Sequence, residues 1–204
     1  MMYSFKNDYS EGAHPDILAA LVRTNLDQQD GYGEDAFSLQ AAQLIKQKIG
    51  REDIDVHFLT GGTQTNLTAI SAFLRPHEAA ISANTGHVLV HETGAIEATG
   101  HKVISVDSSN GKLTAEQVRK VVTGHGDEHM VKPRLVYLSQ PTEVGTIYSR
   151  LEMEQISRVC RELGLWLFVD GARLGSALCA VGNDLTLLIL AELADAFYIG
   201  GTKN

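Results

Sequence analysis

Short apolar runs alternate along the chain with stretches whose apolar positions recur at helical spacing. The runs at 56–59, 79–82, 103–106, 135–139, 165–169 and 196–199 are predicted strands. Most are continuous rather than alternating, the pattern of strands covered on both faces. Helical periodicity marks 16–26, 36–49, 66–74, 114–122, 151–163 and 185–193. Thr114 followed by Gln117 carries a capping-box signature, and Pro15 suits the first turn of a helix. Asn110-Gly111 marks a turn ahead of the helix that Thr114 opens. Strands alternating with helices predict an α/β fold, a mostly parallel sheet flanked by helices.

In such sheets ligands collect at the carboxyl ends of strands, where loops lead into helices. Four polar or glycine-rich segments fall at those places: Gly61-Gly62-Thr63-Gln64, Gln140-Pro141-Thr142-Glu143, Asp170-Gly171-Ala172-Arg173 and Gly200-Gly201-Thr202-Lys203. The first follows a predicted strand and opens a helix. Its glycines permit close approach and its free N–H groups attract an anion. It lacks the GK[ST] element of a Walker A loop, and alone it reads equally well as an ordinary turn.

Asp170 ends a nearly all-apolar strand, where a carboxylate needs a partner. One reading makes it a cap for the turn that follows, with Arg173 as its mate; the other makes it the anchor of a cationic ring nitrogen. Lys203 also follows an apolar strand and a Gly-Gly-Thr turn. It is either a solvated lysine or, if desolvated, a nucleophilic amine. Taken together, an anion-binding helix start, a strand-end carboxylate and a strand-end lysine supply what pyridoxal 5'-phosphate (PLP) requires: a phosphate site, a partner for its pyridine nitrogen and an amine for its aldehyde.

The remaining composition narrows the setting. The 204 residues suffice for one good core, and 44% hydrophobic with 21% charged residues is a globular balance. A net charge of −8 argues against nucleic-acid binding, and no apolar run is long enough to span a bilayer. The start has no apolar signal region, and Cys160 and Cys179 stand in no metal-ligand spacing. These features predict a cytoplasmic, disulfide-free protein that acts on small molecules, with no nucleic-acid or membrane partner. His91 lies four residues after His87, but no carboxylate trio or HExxH surrounds the pair, so no metal site is expected.

The chain resembles the threonine aldolase branch of the β-eliminating lyases, fold-type I PLP enzymes, over essentially its whole length. The matching segments are Asn7-Asp8-Tyr9-Ser10, Tyr32-Gly33-Glu34-Asp35, Gly62-Thr63-Gln64, His87 with Glu92-Thr93-Gly94-Ala95, Asp170-Gly171-Ala172-Arg173-Leu174 and Gly200-Gly201-Thr202-Lys203-Asn204. The last two are the most specific. By position, the resemblance implies that Lys203 holds the cofactor aldehyde and Asp170 the pyridine nitrogen. Gly62, Thr63 and Gln64 would bind the phosphate, His87 would stack on the ring (with His91 as the alternative), and Arg173 would sit near the phenolate oxygen. Ser10 and Tyr32 belong to the substrate or neighbouring-subunit side.

Residues 1–34 would form an amino-terminal arm that contacts a partner subunit, and 35–204 the PLP-binding large domain. The small carboxy-terminal domain of the family is absent from this chain, and with it the arginine for the substrate carboxylate. The working protein is therefore expected to continue past Asn204 and to form a homodimer or homotetramer. The implied reaction is cleavage of L-threonine or a related β-hydroxy-α-amino acid to glycine and an aldehyde. The alternatives are β-elimination on an amino acid with a leaving group at Cβ, or a silent fragment that only dimerises or binds PLP. One departure bears on the substrate: Glu143 stands where many threonine aldolases carry a histidine, and a carboxylate can equally accept a hydroxyl proton.

Overall fold

The computed structural model describes residues 4–203. Asn204 of the last motif and the first three residues of the expected arm lie outside the described residues. In chain order come α1 (Pro15–Thr24), α2 (Ala36–Ile49), α3 (Gly62–Phe73), β1 (Glu78–Ala83), α4 (His87–Val90), α5 (Ala95–Ala98) and β2 (Lys102–Val106). Then follow α6 (Ala115–Gly124), β3 (Lys132–Ser139), α7 (Arg150–Leu163), β4 (Trp166–Asp170), α8 (Leu174–Leu178), α9 (Leu187–Leu193) and β5 (Ala196–Phe197).

The five described strands form one sheet in the order β2-β1-β3-β4-β5, and every pairing is parallel. Both faces are covered, which explains the continuous apolar runs. Along β3, Val136 and Leu138 pack into one core with Met153, Ile156 and Val159 of α7. Leu135 and Tyr137 point the other way, into a second core with Ile70 of α3 and Val88 of α4. The alternation continues on β4, where Leu167 and Val169 join the first core and Phe168 the second.

Local chemistry sets the helix starts. Asp35 accepts the Ser38 N–H at the head of α2. Thr114 and Gln117 close the expected capping box on α6, and Ser149 with Glu152 closes a second on α7. Each pairs two otherwise unsatisfied backbone donors. The arm is held differently. Helix α1 contributes no buried residue, and Ile17, Leu18, Leu21 and Val22 are exposed on it. Among the described residues no helix is long and apolar enough to cross a membrane.

Residues 56–59 correct an expectation: they are irregular chain, not a strand. A strand needs a ladder partner, and no described strand pairs with this segment, so Phe58 and Leu59 remain about half exposed. The glycine loop therefore enters α3 from an open segment rather than from the sheet. Strand β5 is also shorter than the apolar run 196–199 that marks it. Helices α4, α5 and α8 have four or five residues, too short to leave a periodic signal.

The α7 capping box is testable. Ser149→Ala should lower stability by about 1 kcal/mol, a fall of roughly 2–4 °C in Tm for a chain of this size. Urea unfolding should show a lower midpoint at constant slope. An unchanged midpoint would mean that the box contributes nothing.

Candidate active site

The chain path reverses at the centre of the sheet. From β1 it moves outward to β2, then crosses back to β3 on the other side of β1. A reversal of this kind leaves a crevice at the strands' carboxyl ends, the usual ligand position in such sheets. A cavity of about 140 Å³ lies there, lined among others by Gly62, Thr63, His87, Glu143, Asp170, Arg173 and Lys203. Seven of the ten expected site residues thus meet in one place, brought from α3, the end of β1, the loop after β3, the end of β4 and the segment after β5.

Asp170 is the last residue of β4 and is buried. Tyr137 Oη donates to its Oδ2 at 2.5 Å, and Asn66 Nδ2 donates to the same oxygen at 3.0 Å. The Ala172 N–H donates to Oδ1 at 2.9 Å, so the carboxylate caps its own turn as well as facing the cavity. Burial, with the charge of Asp170 second, pushes the Tyr137 and Tyr198 phenols well above the usual tyrosine range, which keeps both as neutral donors. Arg173 is not the mate of Asp170. It forms a two-armed ion pair with Asp8 of the amino-terminal segment, Nη2 to Oδ1 at 3.0 Å. The Asp8 carboxyl is held below its usual range chiefly by the hydrogen bond from Arg173.

His87 opens α4 just beyond β1. Its Nδ1 lies 2.8 Å from Oε1 of the buried Glu92. That hydrogen bond is the main reason the imidazole titrates above its ordinary value; the charges of Glu92, Asp170 and Glu143 add to it and burial opposes it. His91 packs its ring 5.5 Å from that of His87 and does not line the cavity. The loop after β3 is built to hold Glu143. Gln140 is buried and exchanges hydrogen bonds with the Tyr148 backbone, and Thr142 accepts from Thr146 and Gly145. Glu143 Oε1 then accepts the His87 backbone N–H at 2.9 Å and the Ser139 hydroxyl at 2.5 Å.

The start of α3 has no side-chain cap on its N–H groups. A Cβ at Gly62 would lie 2.9 Å from the Tyr198 hydroxyl, so a side chain here would push the phenol from its place at this edge of the cavity. Gly171 is more tightly constrained, because a Cβ there would overlap the Tyr198 backbone carbonyl at 1.9 Å. This contact lets the turn after β4 and the segment after β5 share one wall. Lys203 completes that wall, with Nζ 5.4 Å from the ring centre of Tyr9.

Three expected residues do not reach the cavity. Gln64 turns back so that its Oε1 accepts the Thr60 N–H and hydroxyl at 3.0 and 2.6 Å, because the loop before α3 needs those donors paired. The Ser10 hydroxyl donates to Asn7 Oδ1 at 2.6 Å on the surface. Tyr32 is fully exposed at a positive φ of 64°. Conversely, Asn66, Tyr137, Ser139 and Tyr198 belong to the site and were not singled out. Their signals were present: Asn66 is a polar residue four positions before Ile70 on a buried helix face, and Tyr137 is a phenol inside an apolar strand.

These features agree with what the chain is similar to. A family profile described as beta-eliminating lyase matches residues 8–204. The low specificity L-threonine aldolase of Pseudomonas sp. (strain NCIMB 10558) is 36% identical over 202 residues, 98% of this chain and 58% of that protein. Its counterpart in Saccharomyces cerevisiae is 32% identical over 97% of this chain and 52% of that protein. Among solved structures, the threonine aldolase of Leishmania major superposes with a TM-score of 0.97 at 54% identity, over 99% of this chain and 59% of that one. Aspartate aminotransferase from Thermus thermophilus, 16% identical with a TM-score of 0.66, shares the fold, as the expected fold-type I architecture requires. The chain spans about 58% of the length of the first curated relatives it matches.

The His87–Glu92 pair carries a pH signature. A histidine whose folded value is raised contributes stability that is fully present below about pH 6.5 and is lost as pH rises through the folded value. Glu92→Gln removes the main cause. Its His87 midpoint, followed by imidazole NMR, should fall toward 6.5 or below, and the decline of unfolding free energy above that pH should flatten. A midpoint equal to the parent's would show that Glu92 is not the cause.

Proposed function

From a chain that belongs to the beta-eliminating lyase family, we propose that the cavity binds PLP and that the complete protein cleaves L-threonine or related β-hydroxy-α-amino acids to glycine and an aldehyde. The observation that carries this reading is the meeting of Lys203, Asp170 and the uncapped start of α3 around one cavity. The donor set suits the cofactor: N–H groups for a phosphate, a buried carboxylate for a ring nitrogen, an amine for an aldehyde. Gly62 supports it further, since it lines the cavity and a Cβ there would meet the Tyr198 hydroxyl.

On this reading Gly62 and Thr63 hold the phosphate, with the backbone N–H of Gln64 in reach at the helix start rather than its side chain. His87 covers the ring face, Arg173 lies toward the phenolate oxygen and Lys203 holds the aldehyde. When bound, PLP supplies the electron sink that accepts the pair released as Cα–Cβ breaks. Asp170 is matched to that role because Asn66, Tyr137 and the Ala172 N–H all donate to its carboxylate, which stabilises the charged form. Glu143 is the group we assign to take the β-hydroxyl proton. Its carboxylate is fixed at the cavity wall by His87 N–H and Ser139, while His87 Nδ1 is committed to Glu92. Oriented acceptors of this kind contribute by holding the proton-transfer geometry before reaction.

The arm belongs to the same reading. We assign residues 1–34 to contact with a second copy, supported by the exposed apolar side chains of α1, with Tyr32 and Ser10 on the neighbouring-subunit side. Two unpaired cysteines suit a reducing cytoplasm.

Borohydride reduction of the PLP-loaded complete protein should fix the cofactor on one peptide, the one that carries Lys203. Labelling at any other lysine refutes the assignment. Threonine or phenylserine should then yield glycine and an aldehyde, whereas pyruvate from serine or cysteine without aldehyde release would favour β-elimination.

A further inference from the structure

Behind the cavity a buried chain of polar groups runs from Asp170 to Glu92 through a residue that the proposed chemistry does not use. Glu92, on the loop after α4, and Asp170, at the end of β4, turn one carboxylate oxygen each toward the side chain of Asn66 on α3. Asn66 is completely buried. Its amide nitrogen donates to Glu92 Oε1 at 2.7 Å and to Asp170 Oδ2 at 3.0 Å. Carboxylate oxygens accept and do not donate, so the nitrogen must face both. The amide oxygen, Asn66 Oδ1, is left buried with no partner. An asparagine retained for packing would be expected to satisfy both ends; this one leaves its acceptor unpaired and spends both donors on two acids.

We propose that Asn66 is a positioning residue that bridges Glu92 and Asp170 and thereby couples His87, on one side of the cavity, to the Asp170 carboxylate beneath it. The inference rests on the reading of Asp170 as the ring-nitrogen partner. The bridge has a clear electrostatic task. Two buried carboxylates that face each other without a donor between them repel and come to share a proton. The amide places one N–H on each, so both can stay acceptors. Glu92 Oε1 is also the atom that holds His87 Nδ1, so Asn66 and His87 share one oxygen.

His87 is faced by Glu92, Asp170 and Glu143 and packs against His91. Asp170 is faced by Asn66, Tyr137 and Tyr198, with Arg173 nearby. Of these, Glu92 is the largest influence on His87. Removing the bridge therefore acts on His87 through Glu92: when the two acids share a proton, the imidazole loses part of its anionic partner. A residue that only filled space would have no such effect.

The test needs no cofactor. Asn66→Leu keeps the approximate volume and removes both donors. In the complete apo protein, imidazole NMR should show the His87 midpoint falling by at least about one pH unit, the scale on which a neighbouring charge acts. A midpoint equal to the parent's would overturn the proposal. The parent offers a second measurement that depends on no variant folding: the side-chain amide signals of Asn66 should shift with the His87 midpoint, because both groups use Glu92 Oε1. Amide signals that ignore that midpoint would also overturn it. Borohydride labelling of Lys203 keeps the two readings separate. A shifted His87 midpoint in a protein that does not load PLP supports the bridge and removes the function; an unshifted one in a protein that loads PLP does the reverse.

Discussion

A carboxylate buried at the end of an apolar strand is the constraint around which this chain is organised. Asp170 closes β4 with hardly any exposure to water. Left uncompensated, such a charge costs several kcal/mol, a large part of the net stability of a domain. Its donors come from parts of the sequence far from one another: Asn66 from α3, Tyr137 from β3, and Ala172 from the turn that follows. Meeting that requirement fixes how α3 lies across the sheet and how the turn after β4 approaches Tyr198. Gly171, where a Cβ would overlap the Tyr198 carbonyl, is then a place where no side chain fits.

The same constraint explains what could be read from the residues in order. The strands on both sides of the site were legible because burial on two faces forces continuous apolar runs, and Asp170 stood out as the polar end of one. Glu143, Arg173 and Lys203 were legible as loop residues at strand ends, Gly62 and Thr63 as a glycine-rich helix start, and His87 through the family resemblance; the structure gathers them in one cavity. His87 and Glu92 stood in one segment of the family resemblance, and the structure puts them in direct contact. What stayed hidden depends on three-dimensional partners. An apolar run at 56–59 does not reveal whether a neighbouring strand exists, and Arg173 does not reveal that its carboxylate lies on Asp8, most of the chain away. Gln64 looks like a ligand-facing residue until Thr60 is found to occupy its oxygen.

Charge pairing around the cavity is selective. Arg173 is matched by Asp8, and His87 by Glu92. Asp170 is surrounded by neutral donors rather than by a cation of its own. Lys203 meets the face of Tyr9, a soft partner compared with a carboxylate. Among the described residues neither Asp170 nor Lys203 forms a close ion pair, though the charges of Arg173 and His87 reach Asp170 and that of Lys203 reaches Asp8; these are the two groups that the proposed function assigns to the cofactor's ring and aldehyde.

The central claim is that the charge of Asp170, more than its shape, is what the surrounding fold exists to hold. Asp170→Asn in the complete, PLP-loaded protein tests it most directly, because the substitution keeps the volume and removes the charge. The account predicts that Lys203 still takes up the cofactor, as judged by borohydride labelling, while kcat for aldehyde release from threonine falls far more than tenfold. A variant whose kcat stays within tenfold of the parent, about 1.4 kcal/mol of barrier, would contradict it.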